Sequence, residues 1–410
     1  MNKFKIQDLR FKIIDEFELQ VESCRLKVFR SSSFVLRKNR LANHKEQITN
    51  DLNAFDLRPS TFDLRPLLLS FFLLLSFTSA QTLTVLTHDS FSISEDVTQS
   101  FTAETGIELE FLAAGDAGEL VNRAILTKDA PLGDVLYGID NSLLARAQNA
   151  DIFEPYTSPE LENVAEALRL EPQGLVTPVD VGLVNFNYDV SYFEEAGLEP
   201  PTDIAELSDE AYRGLAVVQN PATSSPGLAF MLATIDRFGE EGWLEYWAEL
   251  RDNDLMVTAG WNDAYYTAFS LYDGDRPIVL SYATSPAAEV MFAEEALDDA
   301  PSANLFCEAC VYQQIEAAGI LRGSENVEAA QMFIDYMLSE AFQADIPENM
   351  FVYPARSGVA VPEAFNTYAQ QPSEGEIAGL ESQLIEDNVQ DWLAQWTAVV
   401  EQGQAPKDVR

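Results

Sequence analysis

Over most of its length the sequence alternates short β-type runs with segments of helical periodicity, and this alternation constrains the fold more than any other feature. A strand is predicted at residues 82–87 (TLTVLT), followed by a helix that ends at Gly106 and a second strand at residues 107–113. A helix at residues 118–128 and a strand at residues 134–140 continue the pattern. Strands that alternate with helices pair in parallel, so we expect an α/β fold.

A second set of the same elements follows a long β-type stretch at residues 174–189, which carries Pro178 near its middle. A chain that leaves one lobe and enters another needs such a crossover. The elements of the second set are predicted strands at residues 215–218 and 277–282 and predicted helices at residues 225–238, 243–250 and 263–271. Strand-like residues 310–321 and a helix at residues 327–338 then resume the first pattern, which indicates a return to the first lobe.

The length of 410 residues also favours two lobes, because one hydrophobic core rarely serves more than about 250–300 residues. We expect a discontinuous first lobe, a second lobe inserted within it, and a helical tail that packs on both. The expected ranges are residues 81–177 and 289–370 for the first lobe, 178–288 for the second and 371–410 for the tail. The tail residues predicted to share one apolar helical face are Ile377, Leu380, Leu384, Trp392, Trp396 and Val399.

The charge of the chain is strongly acidic and unevenly placed. The sequence holds 25 Lys and Arg against 67 Asp and Glu, a net charge of −42, and 58 of the acidic residues lie after residue 80. Such a body repels phosphate backbones and attracts cations, so we expect no nucleic-acid partner. Solubility in a salty medium explains the same charge equally well.

An uncharged apolar run at residues 67–80 (LLLSFFLLLSFTSA) indicates export. It is shorter than the roughly 20 residues that a membrane-spanning helix needs, but it fits the apolar region of a signal peptide cleaved near Ala80. We therefore expect a signal peptide at residues 64–80 and a periplasmic location. Residues 1–63 are expected to be a disordered leader or the product of an over-extended start codon. A membrane-anchored protein with a basic cytoplasmic tail is the alternative.

Cys307 and Cys310 are the cysteines that remain after the signal peptide, and they form a Cys-x-x-Cys pair. A redox pair, a zinc half-site and a small disulfide loop are all compatible with this spacing, and in an oxidising compartment we favour the disulfide. Zinc needs four ligands, and His88 is the one histidine left to add. The scarcity of histidine and the lack of GxSxG, GxGxxG, Walker and HExxH motifs predict no enzyme, no cofactor and no metal.

Polar residues occupy the ends of the three strands predicted for the first lobe. His88 and Asp89 follow the first strand, Asp116 follows the second, and Asp140 ends the third. Ligands of open α/β sheets bind beyond the carboxyl ends of the strands, so we expect these side chains at one edge of a cleft.

The facing edge, from the second lobe, is predicted to be aromatic and rich in hydroxyl groups. Its candidate residues open two helices or end a strand: Ser224, Ser225, Gly227, Trp261, Tyr265, Tyr282 and Ser285. The start of a helix is an anion site, and aromatic rings attract cations. Together with the acidic edge, they favour a ligand with a cationic aromatic centre, with or without a phosphate, a description that fits thiamine or its phosphates.

Residues 82–403 resemble the periplasmic thiamine-binding proteins of ABC transporters. The resemblance implies a type II periplasmic-binding-protein fold, in which two α/β lobes are joined by strand crossovers with the ligand cleft between them. It further implies a monomer that binds thiamine, or its mono- or diphosphate, and delivers it to a membrane permease. The matching stretches are THDSF (residues 87–91), GDAGELVNR (115–123), GIDNSLL (138–144), NPATSSPGL (220–228), GWNDAY (260–265), VLSYATSPA (279–287) and VYPA (352–355).

The resemblance also implies roles for individual residues. Asp116 is expected to hold the aminopyrimidine, and Ser224, Ser225 and Gly227 are expected to receive the phosphate or hydroxyethyl end of the ligand. The aromatic walls are expected to be Trp261, Tyr282 and Phe351.

The sequence departs from the family at three positions. Histidine stands at His88, where the family commonly has tyrosine, and phenylalanine stands at Phe351, where it commonly has tryptophan. Ala288 replaces an expected aromatic wall residue, for which Tyr265 or Tyr266 would compensate. A carrier of ferric ion or another cation is the alternative function, because related proteins bind iron through tyrosine, histidine and carboxylates.

Overall fold

The computed structural model describes residues 81–410, so the expected leader and signal peptide lie outside the described residues. The strands are β1 (Gln81–Thr87), β2 (Ile107–Ala113), β3 (Val135–Asp140), β4 (Phe153–Glu154), β5 (Thr177–Asp189), β6 (Ala216–Gln219), β7 (Met256–Thr258), β8 (Ile278–Tyr282), β9 (Ser302–Leu305), β10 (Tyr312–Leu321) and β11 (Tyr353–Pro354). The α-helices are α1 (Glu95–Thr105), α2 (Ala117–Leu126), α3 (Leu144–Asn149), α4 (Val190–Ala196), α5 (Ser225–Asp252), α6 (Trp261–Asp263), α7 (Ser285–Met291), α8 (Val327–Met337), α9 (Glu340–Asn349), α10 (Glu363–Tyr368) and α11 (Ser382–Trp396).

The strands form one continuous hydrogen-bonded network in the order β2-β1-β3-β10-β5-β8-β6-β7. β1, β2 and β3 are parallel and form the first strand set, and β6, β7 and β8 are parallel and form the second. β5 and β10 run antiparallel to their neighbours and join the two sets. The predicted α/β fold with two groups of parallel strands is therefore present.

β5 is the crossover that the sequence predicted around Pro178. Residues 177–184 pair with β10, whereas residues 184–188 pair with β8. The register of β10 shifts between Glu316 and Ala317, opposite the proline, which has no N–H to donate to the ladder. Immediately before the shift, Asp180 lies directly opposite Glu316.

The helices of the second half differ in part from the prediction. The two helices predicted at residues 225–238 and 243–250 follow each other within α5, which is interrupted by Gly239 in the left-handed region (φ 70°). The helix predicted at residues 263–271 is wrong. The chain instead forms α6, a π-helical turn at Ala264–Ala268 and a 3-10 turn at Ser270–Tyr272. The wide turn brings four residues to the core together: Ala264, Tyr265, Ala268 and Phe269.

The C-terminal helix α11 packs on α5, where the ring of Trp396 meets the ring of Trp247 edge to face at 5.5 Å. The predicted apolar face of the tail is partly wrong. The helix begins after Ile377 and Leu380, and Leu384 is exposed. The buried face is shifted along the helix and consists of Ile385, Val389, Trp392 and Trp396. Within residues 81–410, no helix combines the length and apolar character needed to cross a bilayer.

The Cys-x-x-Cys pair differs from the expected disulfide, because both cysteines are buried free thiols in the structure. The turn passes through Ala309 with a positive φ of 50°, and it directs the Cys310 sulfur to the backbone of Cys307. The Cys307 sulfur accepts a hydrogen bond from the backbone N–H of Ile204 at 3.4 Å. The neighbouring Cys307 thiol and burial together raise the pKa of Cys310 far above the usual value.

Candidate functional site

The loops at the carboxyl ends of β1 and β2 bring two of the predicted site residues into the interior. His88 follows β1 and Asp116 follows β2, and both side chains are buried. The His88 Nδ1 atom hydrogen-bonds with the Ser90 hydroxyl at 2.9 Å. Asp89 lies beside His88 in sequence, but its side chain is exposed, and its backbone N–H donates to the Gly115 carbonyl. The structure therefore groups His88 with Asp116 and leaves Asp89 at the surface.

Asp116 connects the two strand sets directly. One carboxylate oxygen accepts from the N–H of Ala117 at the start of α2. The other accepts from the Ser224 hydroxyl at 2.9 Å and from the Trp261 N–H at 2.8 Å, both on segments of the second strand set. Gly260 permits this approach, because a Cβ at that position would lie 3.0 Å from the Asp116 Oδ2 atom. The two edges of the predicted cleft thus touch through one buried carboxylate.

Trp261, Tyr282 and two serines form the opposite wall. The indole N–H of Trp261 donates to the Ser281 hydroxyl at 2.9 Å, and the Ser285 hydroxyl lies 2.9 Å from the same oxygen. The rings of Trp261 and Tyr282 are 6.4 Å apart and partly buried. The hydroxyl chain fixes the orientation of the indole, so the wall is rigid before a ligand arrives.

Four predicted residues have other surroundings. Tyr265 is buried behind Trp261, against which its ring stacks at 4.8 Å, and its hydroxyl donates to Glu289 at 2.6 Å. The Ser225 hydroxyl is buried without a hydrogen-bond partner among residues 81–410. Gly227 lets α5 approach β6, because a Cβ there would lie 2.4 Å from the Gln219 carbonyl oxygen. The ring of Phe351 packs edge to face on that of Phe292 at 4.9 Å.

Asp140 is fully buried and stabilises its own turn. Its Oδ1 atom accepts from the Ser142 N–H, the Ser142 hydroxyl and the Leu143 N–H at 2.8, 2.6 and 3.0 Å. Its Oδ2 atom has no hydrogen-bond partner within residues 81–410. Burial raises the pKa of this carboxyl to about 7, despite the three donors that favour the charged form.

Sequence reasoning missed a buried polar network formed by Tyr137, Asp180 and Glu316. The Tyr137 hydroxyl contacts the Asp180 carboxyl closely and donates to Glu316 Oε2 at 3.0 Å. Glu316 Oε1 lies 3.4 Å from His88 Nε2. That contact is an ion pair without hydrogen-bond alignment, so His88 Nε2 lacks a hydrogen-bond partner among the described residues.

The two carboxyl groups of the network hold different charges. Burial, together with the adjacent charge of Glu316, raises the pKa of Asp180 well above its usual range. For Glu316, burial acts in the same direction, but His88, Tyr137 and Asp180 outweigh it and lower its pKa. Two carboxylates in contact do not both ionise readily in a low-dielectric interior, so Asp180 carries the proton and Glu316 the charge.

The acids around His88 favour the protonated form of its imidazole ring. Burial lowers the pKa of His88, yet the Glu316 carboxylate, assisted by Asp116 and Asp89, raises it above the usual value overall. The site therefore contains a buried imidazole–carboxylate contact whose surroundings favour the protonated ring. A signal for this network was present in the sequence: Asp180 and Glu316 each stand between two apolar residues of a long strand, which is a costly placement without a partner.

A family model for bacterial extracellular solute-binding proteins matches residues 130–373, more than half of the chain. The chain belongs to this family. The thiamine-binding periplasmic protein of Salmonella typhimurium is 31% identical over 326 residues, which cover 78% of this chain and 93% of that protein. An iron uptake protein of Synechocystis is 25% identical over 295 residues, which cover 69% of this chain and 78% of that protein.

Among solved structures, a periplasmic thiamin binding protein matches with a TM-score of 0.68 and 28% sequence identity, covering 78% of this chain and 96% of that chain. Together with the crossovers through β5 and β10, this match confirms the expected type II binding-protein fold with two α/β lobes. That the first strand set belongs to one lobe and the second set to the other stays a prediction. The family to which the chain belongs consists of solute-binding proteins, which are non-enzymatic components of transport systems.

Proposed function

We propose that the protein is an exported, monomeric receptor that binds thiamine between its lobes and delivers it to the permease of an ABC importer, without catalysis. The observation that carries the proposal is the pairing of two aromatic rings, Trp261 and Tyr282, with the buried acids Asp116 and Glu316. Thiamine carries a positively charged thiazolium ring joined to a flat aminopyrimidine. Aromatic faces attract such a cation, and carboxylates neutralise it.

The charges around Tyr282 support a cationic ligand. Burial and nearby carboxyl groups raise the pKa of Tyr282 well above its usual value, with Glu316 the largest contributor among the four; the others are Asp116, Asp140 and Asp180. These groups come from three different strands or strand ends of the first lobe and from the crossover, yet they face one ring of the second lobe. The start of α5, at residues 224–227, is the proposed contact for the hydroxyethyl or phosphate end of the ligand.

The same geometry gives less support to the alternative of ferric ion. An iron site of this kind needs phenolate and imidazole donors that converge. The Tyr265 hydroxyl is directed at Glu289, at 2.6 Å, and the ring lies behind Trp261. Within residues 81–410, no group of three or more His, Cys, Asp and Glu side chains is arranged to hold a metal ion.

Isothermal titration calorimetry with thiamine, thiamine mono- and diphosphate, spermidine and Fe(III) tests the proposal. We expect saturable 1:1 binding of thiamine, with quenching of tryptophan fluorescence as the ligand meets Trp261. Binding of Fe(III) with a coloured complex and no heat from thiamine would overturn the proposal in favour of the alternative. Ligand recovered unchanged after incubation and denaturation is the expected result for a receptor, whereas a new product would indicate an enzyme.

A further inference from the structure

We propose that His88 and Glu316 select the charge of the ligand by linking its binding to proton release. A bound organic cation replaces His88 as the ion-pair partner of the Glu316 carboxylate, and His88 releases a proton to solvent. The inference rests on the proposed function, because it assigns the residues that select the charge of the ligand in that same cleft. It requires that Glu316 is the counter-charge of both His88 and the ligand, and that the imidazole ring is held in place when the ligand binds.

Glu316 is the shared counter-charge. It is the ionised member of the network with Tyr137 and Asp180, and its Oε1 atom lies 3.4 Å from His88 Nε2. The Tyr282 hydroxyl donates at 3.2 Å to Gln314, which is two residues before Glu316 on β10. The aromatic wall and the carboxylate therefore meet at the same stretch of β10.

The ring of Tyr282 lies against the crossover strand that carries Asp180. At Gly182 a Cβ atom would lie 2.7 Å from the Tyr282 Cε1 atom, so the ring fits there because glycine has no side chain. A cation held against Tyr282 is consequently close to the acids of β5 and β10. In this buried setting its field is screened far less than in water.

His88 is fixed in place by the residues around it. A Cβ at Gly138 would lie 2.6 Å from the His88 Cδ2 atom, and the rings of Tyr137 and Phe91 lie 5.8 and 6.4 Å from the imidazole. On the remaining side Nδ1 hydrogen-bonds with Ser90. These contacts hold the imidazole ring in place. Repulsion between the protonated ring and a bound cation is therefore relieved by loss of the proton from His88.

The charged groups that face His88 come from every element packed on it. Glu316 faces it from β10, Asp116 from the loop before α2, and Asp89 from its own loop, while β3 contributes the neutral Tyr137. Asp116 is held by Ser224 and Trp261, and Asp89 is exposed. Glu316 is therefore the acid that can pair with a ligand cation instead of His88. Binding of one cation then releases one proton.

Calorimetry of the full chain with thiamine, repeated at pH 6 and pH 8 in buffers of different ionisation enthalpy, measures this exchange. We expect release of about one proton per thiamine at the lower pH, and a Kd that rises by up to about tenfold per pH unit as the pH falls. In His88→Gln the amide keeps a polar contact but cannot titrate, so proton release is lost and the Kd changes less than about twofold over the same range. Protons released by thiamine itself on binding are also released with the variant, and this number is subtracted from the value for the wild type.

A second readout needs no substitution. After the expected cleavage near Ala80, His88 is the one histidine of the sequence, so the NMR signals of its imidazole ring can be followed without overlap. At pH 6 we expect thiamine to move the His88 signals from the protonated to the neutral position. Binding of thiamine without proton release, or with release that survives in His88→Gln, would overturn this inference and leave the proposed function intact. No binding of thiamine at either pH would overturn both.

Discussion

The two walls of the cleft are built in opposite ways. The wall of the second strand set consists of the partly exposed rings of Trp261 and Tyr282, and a chain of hydrogen bonds through the buried Ser281 hydroxyl holds the indole. The wall of the first lobe is supported from within by the titratable groups of the His88–Glu316 network, which are buried. The first kind of wall contributes contact area, and the second contributes charge.

This difference predicts where substitutions act. A buried charge is tolerated only while its partners are present, because its desolvation is costly. A change in the buried wall therefore lowers the stability of the protein before it affects the ligand. A change in the aromatic wall is expected to remove contacts to the proposed ligand without leaving a buried charge unpaired.

The largest expected effect is on stability, from Glu316→Ala. This substitution leaves the His88 imidazolium without its ion-pair partner and Tyr137 without one acceptor. Breaking a buried pair in this way costs about 3–5 kcal/mol of unfolding free energy. Urea unfolding followed by circular dichroism measures the loss. Glu108→Ala on β2, where the side chain is exposed, is the matched control and is expected to change stability by less than about 0.5 kcal/mol. Equal stability of the two variants would contradict the distinction between the walls.

Much of the framework could be predicted from the sequence. The strand predicted at residues 107–113 has the observed bounds, and the one predicted at residues 82–87 is one residue short of β1. Alternation of strand and helix is a local signal, and local signals survive in a single sequence. The polar residues at strand ends could be located for the same reason, since loops that follow strands are easily recognised, and their role in binding stays a prediction.

The buried network could not be predicted in the same way. Asp180 and Glu316 are 136 positions apart in the numbering, and they meet because β5 and β10 pair in the register that puts these two residues opposite each other. A single acid in a strand reads as a side chain that points outward. The register of a long-range pair is a property of the folded sheet, so the sequence showed the acids and not their contact.

The second expected effect is on ligand affinity, from Asp116→Asn. The neutral amide is a weaker acceptor for the Ser224 hydroxyl and the Trp261 N–H, and it removes one negative charge near the ligand. We expect thiamine to bind about 1–3 kcal/mol more weakly, as measured by calorimetry. Asp89→Asn removes an exposed carboxylate beside the same loops and serves as the control. Equal losses in both variants would indicate a general field effect and not a specific contact.

A smaller loss of affinity is expected from Trp261→Ala, which leaves no buried charge unpaired. The indole is partly exposed, and its loss removes one aromatic face, which contributes about 0.5–2 kcal/mol toward a cation. Tyr265→Phe is the matched comparison, because it keeps the ring behind Trp261 and removes only the hydroxyl that donates to Glu289. Fluorescence titration of thiamine into both variants distinguishes a ring that contacts the ligand from a ring that only packs behind it. A larger loss in Tyr265→Phe than in Trp261→Ala would show that Tyr265 belongs to the wall itself.

The smallest expected effect concerns the pH dependence of stability and comes from Asp140→Asn. The pKa of Asp140 is raised from 3.8 to about 7 in the folded protein, so the folded state keeps a proton that the unfolded state loses between those values. This group therefore stabilises the fold at low pH, and its contribution falls as the pH rises from about 4 through about 7. Asparagine retains an oxygen for the donors from Ser142 and Leu143 but does not titrate. We expect the urea midpoints of Asp140→Asn at pH 4.5 and pH 7.5 to lie closer together than those of the wild type, relative to the exposed control Asp89→Asn. An unchanged difference would mean that Asp140 is ionised in the folded protein, and that the first lobe presents one more fixed negative charge to the ligand than its burial indicates.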